Sequence, residues 1–389
     1  MKNYFNSIIT AALVFMAVCL MGPKAAQGQI VQMIFTSDAH YGITRAKFRG
    51  DTAVSGHLVN AAMVKQMNTL PFLTLPTDGG INAGKVTGGI DYVVEGGDIA
   101  NRMEAPIQSA AASWAQFKTD YMGSLHVTGH DGNPAQLLIL PGNHDISNAI
   151  GFPKPLEPLT DPTSMVGIYN LMLKPQTPMT NEAYDFTKDK INYSRNIKGI
   201  HFMFITLWAD SAERIWMQKD LDTVAANTPV IIFTHDQPTC ESKHFTNPLP
   251  PYNMTAENKF QNLVAEHYKE GNVASKDDDA TNIEQRGFVK FLKAHRNIKA
   301  YFHGNSNWNQ FYVYKGPDKD IKLNTFRVDS PMKGAYSAKN ETLQSFQLIS
   351  LDAKNQVLTV RECLWNTNPL NPAQKIVFGK SATVSLKVN

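Results

Sequence analysis

The chain has 389 residues, with 37 Lys and Arg against 34 Asp and Glu, which gives a formal net charge of +3 at pH 7. A chain so close to neutral lacks the basic excess on which sequence-independent nucleic-acid binding depends, so we expect no stable nucleic-acid partner. Three cysteines are too few for a disulfide scaffold or a cysteine zinc knuckle. A single bridge between Cys240 and Cys363 and two free thiols are both open.

The N-terminal segment has the pattern of a secretory signal peptide. Lys2 provides positive charge, residues 8–20 form an apolar run too short to span a bilayer comfortably, and Ala26 and Gly28 are small residues at a cleavage site. We therefore expect residues 1–28 to be removed, leaving a secreted or periplasmic protein without a membrane span. An uncleaved N-terminal anchor is the alternative. Because the segment holds two lysines and no acid, the mature charge is about +1.

Five short apolar runs in the chain each lead into a cluster of polar or glycine residues. The runs are 30–35, 92–94, 137–140, 230–233 and 300–302. Short continuous apolar runs bounded by such breakers are typical of buried strands. Helices are predicted around them at 57–69, 106–123, 163–174, 212–225, 256–269 and 283–296. The alternation predicts an α/β fold with a mainly parallel sheet, in which ligands gather at the carboxyl ends of the strands.

The C-terminal part of the chain has a different pattern. Predicted strands at 323–328, 345–351, 357–365 and 383–388 follow one another with little helix between them, which indicates largely antiparallel strands over about 320–389. The proline-rich stretch 151–180 and the polar stretch 240–282 are interpreted as surface insertions. Residues 29–389 are thus predicted to form one domain.

Four polar clusters at the predicted strand ends carry candidate metal ligands. These candidates are Asp38, His40, Asp98, Asn143 and His235. On extended backbone, Asp38 and His40 would face the same way, and the two oxygens of Asp98 can bridge two ions. Each cluster taken alone is typical of a capped turn, but their order along the chain favours a metal site. Mixed oxygen and nitrogen donors suit zinc, iron or manganese.

Two divalent ions held in this way favour phosphoester hydrolysis. Ions about 3.5–4 Å apart can activate a bridging hydroxide and clamp phosphoryl oxygens during in-line displacement. The leaving alkoxide then needs a proton, for which His144 is the candidate donor. Asn101 and Asp145 are candidates to orient the ring of His144. Arg102 is a candidate to stabilise the loop or the phosphate charge.

In this order the motifs resemble those of the calcineurin-like metallophosphoesterase superfamily. Its blocks are Asp-x-His, Gly-Asp-x-x-Asn/Asp-Arg, Gly-Asn-His-Asp/Glu, a lone His and Gly-His-x-His. The first four match residues 38–40, 97–102, 142–145 and 235 of this chain. The resemblance covers residues 30 to 310 and implies a four-layer α/β/β/α sandwich with Asp98 as the bridging ligand. It also implies that Asn101, where many relatives have Asp, positions His144.

The last block departs from the resemblance. The chain has Gly304, Asn305, Ser306 and Asn307 where Gly-His-x-His is expected. An asparagine oxygen is a harder donor than imidazole and favours manganese, magnesium or calcium. Three outcomes are open: an active site with two ions that uses Asn305 or Asn307, a site with one tight ion, or a non-catalytic binding protein with a degenerate site. His303 is either a further ligand or a hydrogen-bonded core residue.

The substrate is predicted only as a phosphomonoester or phosphodiester. Arg45, Lys47 and Arg49 follow the first motif and are candidates to meet an anionic substrate; a solvated basic loop is the alternative. Tyr41, Trp208, Trp308 and Phe311 lie beside motif residues. They are candidates to stack on a base or sugar, with core packing as the alternative.

Overall fold

The computed structural model describes residues 30–101, 108–146, 161–185, 188–239, 282–371 and 373–388. The strands are β1 Ile30–Thr36, β2 Thr44–Phe48, β3 Asp51–Ser55, β4 Tyr92–Glu95, β5 Gln136–Ile139, β6 Tyr193–Ile197, β7 Ile200–Phe204, β8 Val230–Phe233, β9 Ile298–His303, β10 Gln310–Tyr314, β11 Leu323–Arg327, β12 Ser345–Asp352, β13 Val357–Leu364 and β14 Val377–Ser385. The α-helices are α1 Gly56–Met67, α2 Ala110–Phe117, α3 Asn143–Ile146, α4 Thr163–Leu173, α5 Ser211–Leu221 and α6 Asn282–Ala294. Short 3₁₀ turns occupy Leu70–Phe72 and Glu341–Leu343.

Two six-stranded sheets organise the chain. The first has the order β14-β13-β12-β1-β4-β5 and the second the order β10-β11-β9-β8-β7-β6. In the first sheet β1, β4 and β5 run parallel, and in the second β7, β8, β9 and β11 run parallel. The central strands are apolar on both faces, as in Val230–Phe233, where every residue is buried. Such continuous burial requires that both faces of a sheet be covered.

The two sheets face each other across an aromatic core. Phe35 of the first sheet makes edge-to-face contacts with Phe233 and Phe302 of the second, at centroid distances of 5.3 and 5.6 Å. Helix α4 packs against β5 of the first sheet and against α2, and α5 and α6 pack against each other. The predicted four-layer α/β/β/α fold class is confirmed by this arrangement.

Most of the predicted elements lie within a few residues of the observed ones. The predicted helix at 106–123 is α-helical only over α2 and continues as a π-helix, Lys118–Ser124. Within this wider turn the buried Asp120 accepts a 2.7 Å hydrogen bond from the Tyr41 hydroxyl. The predicted helix at 256–269 and residues 240–281 of the predicted insertion lie outside the described residues, as do residues 1–28.

The C-terminal strands are antiparallel where β12, β13 and β14 pair in sequence order, as predicted. Strand β11 is an exception because it pairs in parallel with β9. Strand β10 lies at the edge of the sheet and runs antiparallel to β11, so β11 has the same direction as β9. Among the described residues, we find no helix long and apolar enough to cross a membrane.

A two-stranded ribbon, β2–β3, was not predicted from the sequence. Its register pairs Phe48 with Asp51, and the two residues between them, Arg49 and Gly50, both have positive φ. Two central residues with positive φ form the hairpin turn that matches the twist of the strands. The basic segment after the first motif is therefore an ordered ribbon rather than a solvated loop.

Candidate metal centre

The predicted ligands meet where the carboxyl ends of β1, β4, β5, β8 and β9 converge between the two sheets. Backbone hydrogen bonds join the loops that carry them. The amide of Asp38 donates to Gly97 O and the amide of His40 donates to Asp98 O, each at 2.8 Å. These backbone hydrogen bonds hold the first two motifs next to each other without any contribution from side chains.

Asp98 lies at the centre of the cluster, buried at 2% exposure. Its Oδ2 atom is 3.4 Å from His235 Nε2, 3.7 Å from His40 Nε2 and 4.0 Å from His144 Nε2. Two groups of donor atoms, each within 4.8 Å of one another, share this carboxylate: one with His40 and His144, the other with Asp38 and His235. A carboxylate common to two donor groups is the arrangement expected of a ligand bridging two ions.

The two oxygens of Asp98 are not equivalent. Oδ1 accepts a 2.7 Å hydrogen bond from the backbone amide of His144. That bond fixes the rotation of the carboxylate and leaves Oδ2 as the atom facing the three imidazoles. Oδ2 is therefore the Asp98 oxygen that is available to both donor groups.

The orientation of His235 is set by the backbone. Its Nδ1–H donates to Gly96 O at 2.8 Å, and its Nε2 points to the cluster, 3.2 Å from Asn143 Oδ1. A backbone carbonyl that holds one ring nitrogen of a histidine fixes the tautomer in which the other nitrogen is free to ligate. His235 and Asn143 are thereby brought together as predicted.

The backbone at the ligands is left-handed. Asp38, His40, Asp98, Asn305 and Asn307 all have φ between 45° and 62°. The expectation that Asp38 and His40 converge because the backbone is extended is therefore wrong; successive left-handed turns bring them together. Non-glycine residues with positive φ are uncommon, and their concentration at one place is typical of functional sites.

Divalent ions are implied by the resemblance, and the donors present fit them. Asp38 Oδ1 and both ring nitrogens of His40 are buried and have no hydrogen-bond partner within the described residues. A buried polar atom without a partner costs about 1–3 kcal/mol. Divalent ions held by the two donor groups would accept lone pairs from these atoms and so offset that cost.

Asp145 joins the loops behind the centre. Its carboxylate accepts hydrogen bonds from the amides of Ile99, Ala100 and Gly142 at 2.8–3.1 Å and from the Ser164 hydroxyl at 3.1 Å. These bonds tie the second and third motifs together. Asp145 is therefore a residue that positions the loops, and its role in orienting the His144 ring stays a prediction.

His144 and Asn101 are both buried beside the cluster. The His144 ring lies edge-to-face with the His40 ring at a centroid distance of 5.2 Å. The backbone N–H of Asn101 donates a hydrogen bond to Tyr41 O at 2.8 Å. This bond anchors the end of the second motif against the first. Arg102, the remaining predicted residue of this motif, lies outside the described residues.

Burial and mutual charge shift the pKa values of the cluster. Burial disfavours the charged form of Asp98, but His235 and His144 outweigh it and hold the pKa of Asp98 well below its ordinary value. Burial lowers the pKa of His144 well below its ordinary value, against the opposing effect of Asp98. Burial likewise raises the pKa of Glu95 well above its ordinary value. A deprotonated Asp98 is the state in which a carboxylate binds a cation.

Asn305 and Asn307 occupy different environments. The Asn305 backbone amide donates to Asp38 Oδ2 at 3.0 Å, and its side-chain Nδ2 donates to Asp236 Oδ1 at 2.7 Å. Asn307 Nδ2 donates to Asn305 O, while Asn307 Oδ1 is buried and without a partner in the part of the chain that the structure describes. The last motif thus contacts the cluster through the Asn305 backbone amide, and Asn307 Oδ1 has no hydrogen-bond partner within the described residues.

His303 is a hydrogen-bonded core residue. It is fully buried, its Nδ1–H donates to Gly304 O, and its Nε2 accepts from the Tyr312 hydroxyl, both at 3.0 Å. Since both ring nitrogens are engaged, the geometry does not present His303 as a ligand or as a substrate contact. This is the second of the two alternatives that the sequence left open.

The arginines predicted to meet substrate lie elsewhere. Arg45 is buried, and its guanidinium donates to backbone carbonyls, among them Pro331 O at 2.8 Å. Arg49 stacks on Phe48 and Trp365 and donates to Asn366 Oδ1 at 3.0 Å. The structure therefore gives neither arginine a position from which its charge faces the metal cluster.

The aromatic residues near the motifs divide into two kinds. Tyr41 and Trp208 are fully buried, and the Trp208 Nε1–H donates to Gln237 O, so both pack in the core. Trp308 is half-buried beneath the Arg327 guanidinium, 3.7 Å from its ring centroid, and lies against the exposed Tyr336. Trp308, which directly follows Asn307, thus lies at the surface together with Tyr336.

Three residues near the centre were missed from the sequence. Glu95 accepts the Gly97 amide at 2.8 Å, Asp236 holds Asn305, and the Lys333 ammonium acts on the pKa values of His40 and His144. Asp236 directly follows His235, so its position beside a ligand was visible in the sequence. Lys333 lies in a loop far along the chain, and no local pattern marked it.

Two motif glycines are required by close approach. A Cβ at Gly142 would meet the Asp98 carboxylate and would lie 2.7 Å from His235 Cε1. A Cβ at Gly304 would collide with the Asp38 carboxylate and the Ser37 side chain. The third and fifth motifs can reach the centre because these positions carry no side chain.

No protein-family model and no curated protein sequence matches the chain. Among solved structures, it is similar to a dimetal phosphatase from Danio rerio, with 8% identity, a TM-score of 0.48, and coverage of 92% of this chain and 99% of that one. It is also similar to a phosphopantetheinyl hydrolase from Mycobacterium tuberculosis, with 10% identity, a TM-score of 0.35, and coverage of 78% and 91%. A calcineurin-like phosphoesterase from Bacillus subtilis has 10% identity, a TM-score of 0.27, and coverage of 92% and 91%.

Similarities at this level carry no conclusion about activity, so the case for the site rests on its own geometry. Two facing mixed sheets carry helices on their outer sides, and the motifs follow the strands in a fixed order. Their side chains meet at the carboxyl ends around Asp98. This is the arrangement that the motif resemblance to calcineurin-like metallophosphoesterases leads one to expect.

Proposed function

We propose that this protein is a metal-dependent phosphoric ester hydrolase that uses two divalent ions. The observation that carries the proposal is the position of Asp98 Oδ2, which is shared by two groups of buried donor atoms. Of these atoms, Asp38 Oδ1 and His40 Nε2 have no hydrogen-bond partner within the described residues. Buried donors held in place by backbone hydrogen bonds are suited to bind ions without rearrangement. When bound, two such ions supply a nucleophilic hydroxide at neutral pH and neutralise charge on phosphoryl oxygens.

The side chains at the centre have two proposed roles, which are to bind the ions and to protonate the leaving oxygen. The residues that hold the ions are all buried: Asp38, His40, Asp98, Asn143 and His235. We assign His144 to donate a proton to the leaving oxygen, because its ring lies beside His40 and Asp98 at the edge of the cluster. Positioned general acids typically contribute a factor of about 10²–10⁴ to the rate.

The role of His144 has a direct test. We expect His144→Gln to lower kcat about a hundredfold for alkyl phosphates, whose leaving groups need protonation. For p-nitrophenyl phosphate, whose leaving group departs as an anion, the loss is expected to be much smaller. An equal loss for both substrates, together with a lowered metal content, would instead make His144 a ligand.

Asn307 is proposed to complete the donor set in preference to Asn305. Its Oδ1 is buried without a partner within the described residues, whereas the Asn305 side chain is tied to Asp236. We expect Asn307→Ala to weaken binding of Mn²⁺ more than Asn305→Ala. A harder oxygen donor at this position favours manganese, magnesium or calcium over zinc.

The proposed activity is tested with aryl phosphate mono- and diesters in the presence of several divalent ions. Wild type should hydrolyse at least one of these esters in a metal-dependent way, and Asp98→Asn should lose at least about a hundredfold of that rate. Turnover that is unchanged in Asp98→Asn would remove the mechanism.

A non-catalytic binding protein with the same fold is the second candidate function. The observation that favours it is the replacement of both expected histidines by Asn305 and Asn307. Restoring histidine at both positions separates the two candidates. Activity that appears only after restoration supports the binding protein, and activity present in wild type supports the enzyme.

The proposed substrate partner is a phosphoester, and the proposed compartment is the periplasm or the exterior of the cell. The second proposal is supported by the pattern of Lys2, the apolar run 8–20 and the small residues Ala26 and Gly28. Fractionation of expressing cells with N-terminal sequencing of the product tests it. A mature N-terminus near Gln29 is the expected result.

A further inference from the structure

A cavity of about 540 Å³ lies at the amino ends of β9 and β11, away from the metal centre. Its charged lining residues are five bases and one acid: Lys293, Arg296, Lys299, Lys322, Lys387 and Asp320. The metal motifs follow the carboxyl ends of the strands instead. Along β9, Lys299 precedes His303 at the carboxyl end by roughly 13 Å. The cavity is therefore separate from the candidate metal centre.

The basic residues of the cavity come from separate segments of the chain. Lys293 and Arg296 lie at the carboxyl end of helix α6, Lys299 lies in β9, Lys322 directly precedes β11, and Lys387 follows β14. The dipole of a helix favours cations at its carboxyl end, which accounts for the two residues of α6. It does not account for the other three, which meet here only because the segments pack together.

Most of these cations have no acidic partner. The ammonium of Lys293 makes an ion pair with Asp320, which is the one acid that lines the cavity. The other four basic side chains make no ion pair with any residue that the structure describes. The formal net charge of the whole chain is only +3, so the four unpaired cations of this cavity exceed it. Like charges held in one concavity repel each other, and an anion bound among them offsets the repulsion.

Apolar residues also line the cavity and strengthen its electrostatic interactions. Leu292, Ile298 and Leu323 belong to the lining and are at most 8% exposed. Lys299 is half-buried, and burial lowers its pKa. Its backbone is held in place because Lys299 O accepts a 3.2 Å hydrogen bond from Asn324 Nδ2. A charge that is partly removed from water interacts more strongly with an anion than a charge on an open surface does.

The size and charge of the cavity favour a compact anion with several negative charges. Its volume falls within the range of about 300–1,000 Å³ that is typical of small-molecule sites. A phosphoryl group offers three strong acceptor oxygens, whereas a carboxylate offers two. Ammonium and guanidinium groups both bind phosphoryl oxygens through charge-assisted hydrogen bonds. Linked phosphoryl groups therefore match four convergent cations better than a single carboxylate does.

We propose that this cavity binds a small soluble oligophosphate anion between Arg296, Lys299, Lys322 and Lys387. The proposal goes beyond the proposed function, because the site does not need ions at the metal centre. Lys299 is the contact on which binding depends most, since it is the half-buried member of the four.

The test measures binding of sodium tripolyphosphate by calorimetry in the presence of a chelator, which keeps divalent ions from the metal centre. Wild type should bind one tripolyphosphate per chain. Lys299→Met and Lys322→Met should each raise the dissociation constant about tenfold, because charge-assisted hydrogen bonds are lost. Lys65→Met, which removes the charge of an exposed lysine in α1, should leave it unchanged. No binding by wild type, or wild-type affinity in the folded Lys299→Met/Lys322→Met double variant, would overturn the proposal.

Thermal unfolding supplies a second readout that a structural role of Lys299 would not give. Without ligand, Lys299→Met should unfold at a higher temperature than wild type, because a half-buried charge is removed. With tripolyphosphate, the upward shift seen in wild type should largely disappear in this variant. A lower unfolding temperature combined with an undiminished shift would make Lys299 a structural residue and contradict the proposal. Since Lys322 is exposed, Lys322→Met provides the same test if Lys299→Met does not fold.

Two further measurements separate this site from the metal centre and from other anionic partners. Asp98→Asn should bind tripolyphosphate as wild type does, so failure of the proposed function leaves this proposal standing. Vesicles of phosphatidylglycerol test the alternative of a membrane surface. Sedimentation with these vesicles in the absence of tripolyphosphate binding would assign the basic residues to a lipid contact and reject the oligophosphate site.

Discussion

Aspartate and histidine residues lie at both ends of the parallel strands β1, β4 and β5. The two ends differ in whether the protein supplies hydrogen-bond partners for these side chains. At the amino ends, a cavity of about 390 Å³ is lined by Asp91, His130 and Asp131 among others. There the His130 ring lies 2.9 Å from Asp91, which also accepts the amides of Gln32 and His130. This pair is satisfied by the protein itself.

At the carboxyl ends, Asp38 and His40 are close in sequence and more deeply buried than His130 and Asp91. Asp38 Oδ1 and both nitrogens of His40 nevertheless have no hydrogen-bond partner in the described part of the chain. A buried polar group that the fold positions but does not pair points to a ligand, whereas a paired group points to stability. The difference between the two ends is therefore one of pairing rather than of composition.

The largest expected effect comes from neutralising one carboxylate at each end. Asp38→Asn should weaken Mn²⁺ binding about a hundredfold or more, because a ligand whose oxygen has no other partner is lost. Asp91→Asn should leave Mn²⁺ affinity unchanged. Isothermal titration of both variants measures the contrast, and equal losses would mean that the ends do not differ as described.

Metal removal should affect stability through the carboxyl end alone. At a free Mn²⁺ concentration about 100 times the dissociation constant, one occupied site adds about 2.7 kcal/mol to the free energy of unfolding. Thermal unfolding with excess Mn²⁺ and with a chelator measures the difference. Asp91→Asn should keep the metal-dependent shift and Asp38→Asn should lose most of it; a shift that survives in Asp38→Asn would contradict the assignment.

A smaller effect is expected from filling the space beside the centre. Gly142→Ala places a Cβ against the Asp98 carboxylate and the His235 ring, so Mn²⁺ affinity should fall about tenfold. Gly123→Ala is the matched control, since the nearest atom to its Cβ, Lys118 O, is 3.7 Å away. Affinity retained in Gly142→Ala would show that the two ligands can move apart without cost.

The smallest expected effect is a pH dependence at the amino end. The hydrogen bond with Asp91 raises the pKa of His130 above 6.5, so its contribution to stability is complete below that pH and is lost as pH rises through the raised value. Burial opposes ionisation of Asp91, but hydrogen bonds from His130 and Gln32 lower its pKa below 3.8, so its contribution is present above that pH and is lost on acidification.

The pair therefore stabilises most between about pH 4 and 6.5. Denaturant unfolding of wild type and His130→Asn at pH 5.5 and pH 8.5 tests this. The difference between the two proteins should be about 1 kcal/mol or less at pH 5.5 and smaller at pH 8.5. A difference that grows with pH would mean that His130 is not held in its charged form by Asp91.

Sequence patterns predicted the fold class and the meeting place of the motifs because both depend on local signals. Apolar runs such as Val230–Phe233 and the clusters that follow them mark strands and their carboxyl ends without reference to distant residues. The same logic located Asp98 and His235 at one edge. The left-handed backbone at Asp38 and His40 was not predicted, because no simple pattern distinguishes such turns from an extended strand end.

Residues whose role depends on long-range contacts were the ones missed. Arg45 was assigned to the substrate because it follows a motif closely, but its partners lie almost 300 positions away, at Pro331 and Met332. Lys333 has no motif around it, and its loop reaches Asp38 only in the folded chain, through Ser330. The spacing of residues along the sequence does not predict contacts that depend on the packing of distant segments.

The central claim is that two ions share the carboxylate of Asp98, and electron paramagnetic resonance of the Mn²⁺-loaded protein tests it directly. We predict two ions per chain with the multiline spectrum of an exchange-coupled pair. In Asp98→Asn, we predict loss of the coupled signal. A single uncoupled ion in wild type, or a coupled pair that persists in Asp98→Asn, would contradict the account.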